Sequence, residues 1–238
     1  MLIRIRRRRV IGAALAGAVL AALGITVATS RSAARADGNP TELAASNVNT
    51  PAGTLAVLKA AATYQASAFP IALRLTPRDG TWAGAQWKTT SRGKPAFGWA
   101  AVGHGPLDKP RGLIEIVTAF GPTPSVAVIL ARIRSAGGGA TFGKTRRVTL
   151  AGFPGWQIDG TVFGRFGHVF VPFSPKTGGA SPPDHYRLDQ GEVFRIIVLD
   201  VRGKRVVLSF ENFKLPAEQF PTFLRSANRL LKTLEFPA

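Results

Sequence analysis

The stretch Val193 to Val201 constrains the fold more than any other part of the sequence. It reads Val-Phe-Arg-Ile-Ile-Val-Leu-Asp-Val. Val193, Ile197, Leu199 and Val201 share one face of an extended chain with Arg195, and Phe194, Ile196 and Val198 share the other. Apolar side chains on both faces predict a central strand covered on both sides. Arg202-Gly203-Lys204 supplies the glycine that a tight turn needs. The return strand alternates, with Val206, Leu208 and Phe210 on one face. Arg205, Val207, Ser209 and Glu211 make the other face the wetter one. The stripe Phe220, Phe223, Leu224, Ala227, Leu230, Leu231, Leu234 then predicts a closing amphipathic helix. Pro221 sits at its first position and Pro216–Gln219 forms a lead-in turn.

Upstream, the pattern alternates between turns and short strands. Thr50-Pro51 resembles a helix start, and Leu55, Leu58 and Ala62 extend a stripe to about Tyr64. Strands are expected over 69–76, 86–90, 96–102 and 113–120, the last apolar on both faces. A helix is expected over 122–135, closed by Gly137-Gly138-Gly139. Strands over 144–150, 156–163 and 169–173 and a loop over 175–184 precede the hairpin. The order predicts an α+β fold: an antiparallel β-sheet flanked by helices, an α/β/α sandwich.

The first thirty-six residues have a different character. Arg4 and Arg6 to Arg9 precede an apolar, uncharged run from Val10 to Ala28, and Ala34-Arg35-Ala36 gives a small-x-small cleavage signal. This is the layout of a secretory signal peptide cleaved after Ala36. The apolar run also approaches the length of a membrane span, so an uncleaved anchor helix over 10–28 is the alternative. Either way, the arginines place the remainder outside the cytoplasm. Residues 37–50 read as a flexible spacer and 51–238 as a single domain. Seven of the 31 lysines and arginines, and none of the 13 acids, fall within residues 1–36, so the remainder keeps a formal charge of +11. Such a domain suits an anionic envelope polymer or membrane surface, and no nucleic-acid motif accompanies the charge. The absence of cysteine removes disulfide, thiol and thiolate–metal chemistry.

Phe69 to Pro77 followed by Gly80-Thr81-Trp82 resembles the opening strand and turn of PsbP-type domains. Gly152-Phe153-Pro154-Gly155-Trp156 resembles their central turn, and Leu230 to Phe236 their closing helix and tail. Gly191-Glu192-Val193 with Arg195-Ile196 is similar to a hairpin of exported proteins of high-GC actinobacteria. These likenesses span about residues 69–236 and imply a sandwich fold; they bring no catalytic residues, because a fold hosts unrelated tasks.

Few residues point to chemistry. No Gly-x-Ser-x-Gly elbow occurs. His104, His168 and His185 lack the spacing of a zinc site, and neither metal nor cofactor is expected. Gly138 to Thr145 spells a phosphate-loop pattern, but it precedes an expected strand rather than a helix. The cluster Asp184, His185, Arg187, Asp189 is the candidate for acid–base work, with His185 and a neighbouring aspartate as a hydrolase pair. Its plainer reading is a polar loop in which Arg187 pairs with an aspartate. Trp82, Trp99 and Trp156, with Arg187, are the candidate binding residues. Tryptophans also plug sandwich cores. A non-enzymatic binding domain is therefore the leading expectation and an exported hydrolase the alternative.

Overall fold

In a computed structural model, residues 39–45, 55–91, 93–105, 112–135, 139–165, 167–173, 186–212 and 215–238 are described. The apolar run 10–28, the Ala36 cleavage position, Asp184 and His185 lie outside them. Among the described residues no helix is long and apolar enough to cross a membrane.

The strands are β1 (Thr41–Glu42), β2 (Ala44–Ala45), β3 (Ala56–Val57), β4 (Tyr64–Gln65), β5 (Arg74–Leu75), β6 (Trp82–Ser91), β7 (Lys94–His104) and β8 (Leu113–Ala119). They continue, after α1 (Val126–Ser135), with β9 (Ala140–Phe142), β10 (Arg146–Leu150), β11 (Phe153–Val162), β12 (His168–Phe170) and β13 (Tyr186–Leu188). The chain closes with β14 (Val193–Val201), β15 (Lys204–Glu211) and α2 (Phe220–Leu231). The main sheet runs in the order β10-β11-β14-β15-β8-β7-β6-β2, with β3 paired to β6 and β9 to β11. Its long strands pair antiparallel.

The predicted hairpin sits where its two apolar faces require, between β11 and β8. Arg202 and Gly203 both take positive φ (51° and 81°), the two-residue turn whose twist suits a hairpin. The return strand β15 departs from expectation. Its wetter face is buried, with Val207 and Ser209 each 1% exposed and Glu211 5%.

The fold is α+β, but helical layers do not cover its sheet. On one face, α2 places Phe220, Phe223, Ala227, Leu230 and Leu231 against Ile116, Leu199, Leu208 and Phe210. On the other, α1 places Ile129, Leu130 and Ile133 against Trp99, Val117, Val198 and Val207. The rest of each cover is short strand and irregular chain, including Tyr64 to Leu75 beside α2 and Phe170, Phe173 and Leu188 beside α1.

The helix expected over 51–64 does not form across its described part. Leu58 N–H donates to Trp82 O (2.8 Å) and Ala61 N–H to Pro77 O (2.7 Å), while Ala61 itself takes φ 62°. Bonds to distant chain outweigh a weak local stripe. The expected strand over 69–76 shrinks to Arg74–Leu75. Ala68 and Phe69 instead lie flat on Gly98, where a Cβ would strike the Ala68 carbonyl oxygen and stand 2.9 Å from Phe69 Cα. The 37–50 stretch is also more than a spacer, because Thr41–Glu42 and Ala44–Ala45 pair as strands and Leu43 is 2% exposed. Gln86 clamps it: Nε2 donates to Leu43 O and Glu42 Oε2 (both 2.9 Å), and Oε1 accepts from Ala68 N–H (2.7 Å).

Candidate functional site

Register brings the α1 face into one row. Trp87, Trp99, Val117, Val207, Val198, Trp156 and Arg147 are successive cross-strand partners from β6 to β10. Side chains in such a row point to one face. The middle of the row lies under α1, and its β10 end opens into a cleft. This cleft has a volume of about 550 Å³ and is bounded by Val126 at the start of α1, Arg147, Thr149, Pro154, Trp156 and Asp200. The volume falls within the range of small-molecule sites.

The chemistry of the cleft rests on three side chains. Trp156 is half-buried, one side packed into the α1 core. The Arg147 guanidinium lies over its ring, 5.1 Å from the centroid, and makes no hydrogen bond with the described residues. Asp200 Oδ1 accepts from Arg205 Nη1 (2.7 Å) and Gly203 N–H (3.1 Å), leaving Oδ2 without a partner among the described residues. Neighbouring cations are differently placed. Arg146 pairs with Asp159 (2.9 Å), which also holds Arg195 through two bonds (2.7 and 3.1 Å). Arg146 and Arg147 are exposed on the outer strand and Lys144 is exposed just before it. Charges on an edge strand also oppose pairing with another chain.

The predicted tryptophans do not meet. Trp82 belongs to the α2 core, edge-on to His104 at 4.7 Å. Trp99 is 4% exposed and stacks on Trp87 at 5.6 Å and 6°. It is separated from Trp156 by four strand spacings, roughly 19 Å. Only Trp156 of the three opens on a cleft. Arg187 is exposed and lies 3.5 Å from Asp189, an ion pair at the end of β13, and is not among the residues that line the cleft. His168 is a core residue at 2% exposure, edge-on to Phe170 at 4.6 Å. His104 is half-buried, and burial holds its pKa below the ordinary value; Asp79 opposes the shift and Arg229 adds to it. The phosphate-loop letters open no helix, since Ala140–Phe142 and Arg146–Leu150 are both strands. Among the described residues no three carboxylates or histidines are grouped to hold a metal ion.

Sequence reasoning missed a set of buried acids. Glu115 on β8 stands opposite Ser209 on β15, and Ser209 Oγ lies 3.0 Å from Glu211 Oε1. Burial pushes Glu115 up to about 7, with help from the charge of Glu192. Burial also raises Glu211 well above the carboxylate range; Glu115 and Glu192 reinforce the shift, and the Ser209 hydrogen bond works against it. Glu192 is raised by burial too, although it accepts the Asp189 N–H at 2.7 Å. The available signal was a lone glutamate in a strand expected to be apolar on both faces. None of these three acids lines the β10–β11 cleft. The cleft residues Arg147 and Asp200 were missed because each looks like an ordinary strand-surface charge.

Comparison with known proteins adds little. No protein-family model matches the sequence, so the PsbP-type resemblance gains no support from a family match, and no curated protein matches it. Among solved structures, one similar chain is LpqN of Mycobacterium tuberculosis, described as involved in cell envelope biogenesis. The likeness is 13% identical with a TM-score of 0.29, covering 77% of this chain and 84% of that one.

Proposed function

We propose that residues 1–36 export this protein and that it acts outside the cytoplasm as a non-enzymatic envelope domain binding an anionic polysaccharide. The cleft beside β10 carries the reading: an aromatic wall, an arginine whose guanidinium has no hydrogen-bonding partner among the described residues, and exposed cations on β10 and just before it. The +11 charge remaining beyond residue 36 would draw a polyanion toward this edge. Arginine suits carboxylate and phosphate through its planar fork of donors, and its weak hydration lowers the cost of giving up water. The signal layout at the N-terminus supports the location.

The test is retention of the full chain on immobilised polyuronate at low and at physiological salt, with an uncharged glucan as control. Retention on polyuronate that weakens with salt is the expected result. Equal retention on both supports, or none at low salt, rejects the reading.

A further inference from the structure

We infer that the β10–β11 cleft is a subsite for a single sugar ring bearing a carboxylate, and that Arg147 serves as the movable cover of that subsite. This rests on the polysaccharide reading above and gives it a residue-level mechanism.

Trp156 is anchored by its packing beneath α1 and by its place between Val198 and Arg147 in the cross-strand row. The Arg147 guanidinium lies over the ring, 5.1 Å from its centroid. Such a cation–aromatic contact at an exposed site is weak, so a flat apolar ring face can displace it. A pyranose presents that kind of face through its axial C–H groups, and its hydroxyls project sideways toward the cleft walls. Asp200 lies in the wall with Oδ2 open to accept a hydroxyl proton, while Arg205 fixes Oδ1. Thr149, on β10 across β11 from Asp200, offers a second hydroxyl-bonding group in the cleft lining. Once lifted from the indole, Arg147 keeps its full set of donors for the sugar carboxylate, the two-pronged contact that makes arginine selective for such groups. An uncharged sugar would return the displaced guanidinium to water with no new ionic contact to offset the lost one. The subsite therefore selects a sugar ring by its floor and an acidic one by its cover.

The experiment titrates the full chain with tetragalacturonate, maltotetraose and inorganic tripolyphosphate at physiological salt. Heat and tryptophan fluorescence are followed together. The expected result is binding of tetragalacturonate with a change in fluorescence and at least tenfold weaker binding of maltotetraose. Trp156→Ala should weaken the uronate at least tenfold, and Trp156→Phe should retain most of the affinity, which separates stacking from folding. Arg147→Gln should erase the preference for the acidic over the neutral sugar.

If tripolyphosphate binds as well as the uronate and Trp156→Ala changes neither, the site is a plain cation cluster: the subsite is overturned while anionic binding stands. If no sugar or anion binds, both readings fall. If Trp156→Ala proves unfolded, the decision passes to Trp156→Phe and Arg147→Gln, and unchanged sugar preference in Arg147→Gln overturns the inference.

Discussion

Replacing Glu115 by Gln should remove a pH dependence that the buried acids impose on folding. In the folded chain, burial lifts this carboxyl from an ordinary 4.5 to about 7. The sign follows from proton binding. Between those two values the folded state keeps a proton that the unfolded chain has released, so rising pH favours unfolding. The stabilising contribution is complete below about pH 4.5 and lost by the time pH passes 7. A displacement of this size corresponds to about 3 kcal/mol at 1.36 kcal/mol per pH unit. That figure is a ceiling, because Glu115 keeps partial contact with water. Glu211 shifts in the same direction and interacts with Glu115, so the two titrate as a pair and their effects do not add. His104 acts in the opposite sense: its lowered pKa makes stability rise with pH up to about 6.5. The comparison must therefore be variant against wild type at each pH. Urea unfolding from about pH 4.5 to 8 gives the midpoint and slope at each step. The gap should grow in favour of Glu115→Gln by up to about 3 kcal/mol across that range, and Glu115→Gln/Glu211→Gln should widen it further, by less than the sum of the two single variants, because burial raises Glu211 independently of Glu115. A gap that stays constant with pH would refute the assignment of the shift to these carboxyls.

Two further outcomes follow from packing. Gly98→Ala should destabilise by about 1–3 kcal/mol, because its methyl group meets the backbone of Ala68 and Phe69, which has no free side chain to yield; a midpoint of urea unfolding equal to wild type would contradict the close approach. Gln86→Leu should release residues 41–45 while leaving the rest of the sheet folded, since two hydrogen bonds of Gln86 hold that segment and a third ties Gln86 to Ala68; hydrogen exchange of the Leu43 amide should accelerate, and undiminished protection would contradict the clamp.

The hairpin was legible because its strands meet through a two-residue turn, so pattern and contact coincide in sequence. The closing helix was legible for the same reason of locality, down to Pro221 in its first turn. Its last expected stripe residue, Leu234, is buried but not helical; the chain there turns to bridge Arg74. The first third of the fold was largely illegible. Leu43, Leu58 and Tyr64 are core residues whose partners lie tens of residues away, and two-residue strands carry no period to read. The cleft was half visible. Trp156 stood out by type, while Arg147 and Asp200 gained meaning only from the register of β10 on β11 and the hairpin beside them. The buried acids were hidden because a wet-looking alternation in β15 is compatible with either solvent or a covered polar seam.

The bridge at Arg74 has a consequence for how the chain reaches its folded state. Arg74 and Glu235 exchange two backbone hydrogen bonds of 2.9 Å each, and Arg202 fastens the same tail through the Phe236 and Pro237 carbonyls at 2.6 and 2.7 Å. Leu234 and Phe236 are both core residues. Central strand β8 likewise waits for β15 to cover its edge. A chain synthesised from its N-terminus forward cannot seal its core until residues 234–237 have emerged, and closure at that point joins segments of very large sequence separation. Such contacts make folding slow. Until those residues are available the core stays incomplete, so whatever machinery handles the growing chain meets an unfinished domain.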